Sequence, residues 1–70
     1  MTAIESAVLI NIHSVLSYEL SRYESSLRYW TEGDGSKRDN AQKNVDYNRS
    51  RITAIETAIK QINLLTSNPS

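Results

Sequence analysis

Largely apolar positions recur at alternating steps of four and three residues in both halves of this 70-residue chain. The first series is Leu9, His13, Leu16, Leu20, Tyr23, Leu27 and Trp30. The second series is Ala41, Val45, Asn48, Ile52, Ile55, Ile59 and Ile62. Such steps keep all members of a series on one stripe of an α-helix, as in a coiled-coil pair. The pattern predicts two helices that pack against each other along these stripes, which we call the hairpin seam.

One strong interruption, TEGDGSKRD around Gly33, separates the two series. Thr2 and Glu5 have the spacing of a helix-capping box, and so do Ser36 and Asp39. Gly33 is suited to the left-handed residue that often ends a helix. These signals predict that helix one begins after Thr2 and that helix two begins after Ser36.

We therefore predict an all-α fold, an antiparallel two-helix hairpin formed by residues 1–66. Helix one is expected at about 3–31, a loop at 32–36 and helix two at about 37–65. Residues 67–70 are expected to form a flexible tail.

A two-helix chain of this size buries little apolar surface, and it contains no cysteine for a disulfide or a thiolate metal site. Beside the seam, helix one carries a second set of aliphatic residues: Ile4, Val8, Ile12 and Val15. One antiparallel neighbour cannot cover both stripes, and an uncovered patch of this kind commonly marks an interaction site. We predict that this row binds a partner. Either a second copy, giving a homodimer and a four-helix bundle, or a different protein would complete the fold.

The sequence offers no arrangement typical of an enzyme. His13 is the only histidine, and neither an orienting acid nor a nucleophile is clearly placed around it. GDGSK lacks the spacing of a phosphate-binding loop. We expect no catalytic residues, no metal ligands and no cofactor. Asn48, in the middle of the second seam series, is expected to fix the register of the two helices.

Near the interruption, arginines alternate with aromatic residues: Tyr18, Tyr23, Tyr29, Trp30 and Tyr47. Aromatic and basic residues together can bind nucleic acid, so a small DNA- or RNA-binding regulator is one alternative function. However, seven basic and five acidic residues share the span 22–51, which is too mixed for a dense basic stripe. The pattern favours rings that close the loop end of the hairpin.

The longest apolar stretch, AVLINI, is too short to cross a bilayer, and the opening residues do not form a signal-peptide pattern. We therefore expect a soluble intracellular protein that does not act in a membrane.

The stretch AIETAIKQI at 54–62 resembles the end of the second helix in the small needle-protein co-chaperones of type III secretion systems, the EscE/PscE/YscE type. The opening MTAIE and the Gly-Asp pair at 33–34 are similar to the start and the hairpin loop of that family. The resemblance extends along essentially the whole chain. The Tyr29-Trp30 pair and the polar Asn48 depart from the family's pattern.

This resemblance implies a non-enzymatic virulence chaperone of the bacterial cytoplasm. Members pair with a tetratricopeptide-repeat co-chaperone, and the two together keep the needle subunit soluble and unpolymerised before export. The repeat protein cradles the needle subunit, while the hairpin mainly stabilises the repeat protein. A self-associating helical bundle subunit is a further alternative.

Overall fold

A computed structural model describes residues 2–67 as an antiparallel helical hairpin. Helix α1 spans Ala3–Thr31 and helix α2 spans Ala41–Ser67, with a short 3-10 helix at Asp34–Lys37 between them. The hairpin measures 50 × 15 × 13 Å, and residues 2–67 contain no strand. The predicted fold class is confirmed.

The start of α1 follows from a side-chain cap at Thr2. The Thr2 Oγ1 atom accepts a hydrogen bond from the backbone N–H of Glu5 at 3.1 Å. The same hydroxyl donates to the Glu5 carboxylate at 3.0 Å. One of the free N–H groups in the first turn is thereby satisfied, which confirms the predicted cap.

The end of α1 differs from the prediction. The N–H of Glu32 donates to the Arg28 carbonyl at 2.8 Å, and the N–H of Gly33 donates to the Arg28 and Tyr29 carbonyls, both at 3.1 Å. Gly33 has a φ of −94°, so the left-handed conformation predicted there is wrong. Gly33 instead allows a close approach, because a Cβ at this position would lie 2.9 Å from the Tyr29 carbonyl oxygen.

Helix α2 begins at Ala41, and not at residue 37 as predicted, so the connection extends to residue 40. The Ser36 hydroxyl donates to the Gly33 carbonyl at 2.7 Å within the connection, and therefore does not cap α2. Arg38 then adopts an extended backbone, with φ −86° and ψ 151°, which separates the 3-10 helix from α2. The first hydrogen bond of α2 runs from the Asn44 N–H to the Asn40 carbonyl at 3.1 Å.

The far end of α2 reaches Ser67, the first residue of the predicted tail. The remainder of that tail, residues 68–70, lies outside the described residues.

Two aromatic rings enclose the connection at Gly35. Tyr29 and Trp30 lie edge to face, with ring centroids 5.1 Å apart and an interplanar angle of 84°. Gly35 is buried, and a Cβ on it would lie 2.6 Å from Tyr29 Cε2 and 2.7 Å from Trp30 Cε3. No side chain fits between these rings without displacing one of them.

Replacing Gly35 with alanine should therefore destabilise the hairpin. We expect the free energy of unfolding to fall by about 1–3 kcal/mol, the usual cost of overpacking a filled site. Urea denaturation followed by circular dichroism measures the change, with the exposed Lys37→Ala as the control. An unchanged midpoint for Gly35→Ala would show that the rings move aside freely.

The core of the hairpin is thin. Among the described residues, the apolar side chains that are buried are Val45, Ile55 and Ile62, all on α2. Helix α1 contributes no buried residue, and its seam side chains remain half-buried. A structure with so small a core gains much from covering its remaining apolar surface.

Candidate partner-binding surface

The row predicted to bind a partner lies in solvent along the first half of α1. Ile4 is 78% exposed, Val8 50%, Ile12 43% and Val15 61%. Each of these four aliphatic side chains keeps about half or more of its surface in water. Each therefore loses on the order of 1 kcal/mol of the hydrophobic stabilisation that full burial would give. The structure thus leaves an apolar row on the surface of the hairpin.

The row and the seam occupy different faces of α1. Successive residues of a helix are rotated by about 100°, which places the row about 100° around the axis from Leu9 and Leu16 of the seam. Packing against α2 therefore cannot cover the row, whatever the rotamers of its side chains. A second neighbour has to approach α1 from another direction.

Charged side chains mark the end of the row. Arg22 donates to the Glu19 carboxylate at 2.9 Å, and this pair continues the face of the row toward the loop. Between Ala3 and Tyr18, the acidic and basic residues are Glu5 and His13 alone. The row is therefore an apolar surface about three turns long, and an exposed ion pair follows it.

Two exposed leucines of α2 lie at the end of the hairpin opposite the loop, and the sequence analysis did not identify them. Leu64 is 57% exposed and Leu65 is 56% exposed. Leu64 lines a groove with Leu20 and Ile59, whereas Leu65, rotated by about 100°, lies on the side of the row. The signal was present in the sequence, since this Leu-Leu pair falls outside the seam series.

Ile10 supplies a useful comparison within α1. It is 61% exposed, yet it lines a groove with Ile62 and Asn63 on the opposite side of the hairpin from the row. Ile10 thus matches the row residues in chemistry and exposure but not in position.

His13, a member of the first seam series, is half-buried, and its Nδ1 atom lies 3.4 Å from the Ser17 Oγ. Among residues 2–67, no three His, Asp or Glu side chains are grouped to hold a metal ion. The contact between His13 and Ser17 lies within α1, one helical turn apart.

The aromatic residues near the loop contact one another and an arginine. The rings of Tyr23 and Tyr47 lie 6.1 Å apart at 62°, and the Arg51 guanidinium lies 5.6 Å from the Tyr23 ring centroid. The Tyr47 hydroxyl and, after it, Arg51 lower the pKa of Tyr23, while the hydrogen bond to Tyr23 raises the pKa of Tyr47. These contacts join α1 to α2, as in the prediction that the rings close the loop end.

Asn48 is the one polar side chain buried among the described residues, with 3% of its surface exposed. Its Nδ2 atom donates to the Asn44 carbonyl of the same helix at 2.8 Å. This bond lies within α2, so the register role predicted for Asn48 stays a prediction.

Asn48→Leu should stabilise the hairpin. An apolar side chain there would pack against the half-buried seam of α1, and the buried amide would no longer need a partner. We expect the free energy of unfolding to rise by about 1 kcal/mol, the usual scale for such an exchange. Denaturation midpoints of this variant and of Asn11→Leu, at an exposed site, measure the effect. A lower midpoint for Asn48→Leu would mean that the amide contributes more stability than it costs.

No described helix combines the length and apolar character that crossing a membrane requires. Comparisons with protein-family models, curated proteins and solved structures returned no match to this chain.

Proposed function

We propose that this chain is a non-enzymatic co-chaperone of type III secretion. In this proposal the hairpin pairs with a tetratricopeptide-repeat co-chaperone in the bacterial cytoplasm, and together they keep the needle subunit soluble before export. The exposed row Ile4, Val8, Ile12 and Val15 is the observation that carries the proposal, because it gives a thin-cored hairpin a surface for a protein partner.

The specific partners come from the resemblance of residues 54–62, of the opening residues and of the Gly-Asp turn to the needle co-chaperones. The geometry supports the same kind of activity. The row is apolar and extended along a helix, which suits a groove formed by the helices of a repeat protein. In that arrangement the hairpin acts by contact alone.

Affinity capture with three baits tests the proposal. We expect the wild-type hairpin to retain a tetratricopeptide-repeat protein and a needle subunit from the cytoplasm of its source cell, identified by mass spectrometry. Val8→Asp should lose both proteins, since the substitution places a carboxylate in the apolar contact. Ile10→Asp should retain both, because Ile10 lies on the other side of the hairpin.

Capture of other proteins, or equal capture by Val8→Asp and Ile10→Asp, would contradict the proposal. A gel shift with DNA and RNA at several salt concentrations addresses the nucleic-acid alternative. Binding that weakens steeply with salt and depends on Arg49 and Arg51 would favour a regulator instead.

A further inference from the structure

We infer that, without another partner, the row of one hairpin packs antiparallel against the row of a second copy. The product is a four-helix bundle in which the two α1 helices are in contact. This inference goes beyond the proposed function, because it concerns the isolated chain and holds whether or not a repeat protein binds the same surface.

The spacing of the row supports an antiparallel contact. Row residues follow one another at steps of four, four and three. In an antiparallel pair of α1 helices whose two-fold axis passes near residue 10, Ile4 of one copy faces Val15 of the second copy, and Val8 faces Ile12. All four side chains of each copy then meet a row residue, in a contact that two-fold symmetry closes.

The direction of the row supports a bundle. A helix at the corner of a four-helix bundle contacts two neighbours in directions roughly 90° apart. On α1 the seam and the row diverge by about 100°, given the usual rotation per residue. The seam is occupied by α2, so the second direction is the one left for α1 of another copy. Leu65 lies on the same side of the hairpin and extends this surface.

The charge of the surface permits two copies to meet. Within the overlap, Glu5 would lie level with residues 14 and 15 of the second copy, about 14 Å along the helix axis from the other Glu5. Glu19 and Arg22 lie beyond the row, at the edges of the contact, where solvent screens them. No like charges are brought face to face by this register.

The available area is small. The register overlaps residues 3–17 of α1, about 21 Å or two-fifths of the 50 Å hairpin. One of four long sides over that length is about one-tenth of the 5334 Å² surface, or roughly 530 Å². Stable interfaces bury roughly 600–1,000 Å² on each partner. The dimer therefore falls just below this range, which suits a weak contact that dissociates on dilution and that another protein can replace.

Cysteine cross-linking tests the contact and its direction, since the chain has no cysteine of its own. In the proposed register, residue 4 of each copy is near residue 15 of the other, whereas equal positions are about 16 Å apart. A disulfide needs Cα atoms within about 7 Å. Under mild oxidation, the double variant Ile4→Cys/Val15→Cys should form a covalent dimer, and each single variant should remain uncross-linked.

Sedimentation of the purified wild-type chain supplies a second measurement that does not depend on substitutions. We expect a dimer that dissociates on dilution, a shift to monomer for Val8→Asp and no shift for Ile10→Asp. A wild-type chain that stays monomeric at all concentrations would overturn the inference. Cross-linked dimers of the single variants would overturn the antiparallel register. Neither result would bear on capture of the repeat protein, so the two proposals fail separately.

Discussion

Ile55→Asp should abolish the folded hairpin. Ile55 is 4% exposed and is one of three buried aliphatic side chains in the described part of the chain. A carboxylate at this position would have to be buried without a partner or expel α1 from the seam. Changes of this type cost about 4–5 kcal/mol or more, which is comparable to the whole stability of a small domain.

Circular dichroism and thermal melting measure this loss. We expect the helical signal of Ile55→Asp to fall toward that of an unfolded chain at room temperature. Leu20→Asp should act in the same direction but less strongly, because Leu20 is half-buried on the opposite helix. Thr53→Asp, at an exposed position of α2, is the matched control and should melt close to the wild type. Wild-type helicity in Ile55→Asp would show that the seam is not the core.

Val8→Asp and Ile12→Asp should each weaken partner binding by about 100-fold or more, which is about 3 kcal/mol. Both residues lie in the exposed row, so their replacement does not disturb the seam. The loss arises because an ionised carboxylate loses its water in an apolar contact and gains no positive charge. Calorimetric titration of the purified repeat protein with each variant measures it.

Two readouts keep folding and binding apart in that experiment. The helicity of Val8→Asp and Ile12→Asp should remain near that of the wild type, and Ile10→Asp should bind normally. If either row variant binds as tightly as the wild type, the row is not the docking surface, and the proposed function rests on the resemblance alone.

The periodicity of the sequence predicts the architecture well, because the seam series depends on helix geometry that a linear chain already encodes. The bounds of α1 and the cap at Thr2 follow from the same local rules. The exposed row of α1 could also be predicted from the sequence, because a single neighbouring helix cannot cover the seam and the row together.

The connection could not be predicted to the same extent, because it depends on contacts that sequence spacing does not specify. Ser36 is a residue type that commonly caps a helix, yet its hydroxyl donates a hydrogen bond to the Gly33 carbonyl within the connection. Glycine is required at residue 35 because the Tyr29 and Trp30 rings lie against it, and only the folded structure brings these rings to Gly35. Leu65, in contrast, could have been predicted, because it falls outside the seam series and so has no place in the contact with α1.

Measuring how much needle subunit stays in solution is the most direct test of the proposed co-chaperone activity. Purified needle subunit is mixed with the repeat protein, alone or together with the hairpin, and its polymerisation is followed by light scattering and sedimentation. We predict that wild-type hairpin with repeat protein keeps the needle subunit in solution, and that Val8→Asp performs no better than repeat protein alone. Polymerisation that proceeds equally with and without the wild-type hairpin would contradict the proposed function.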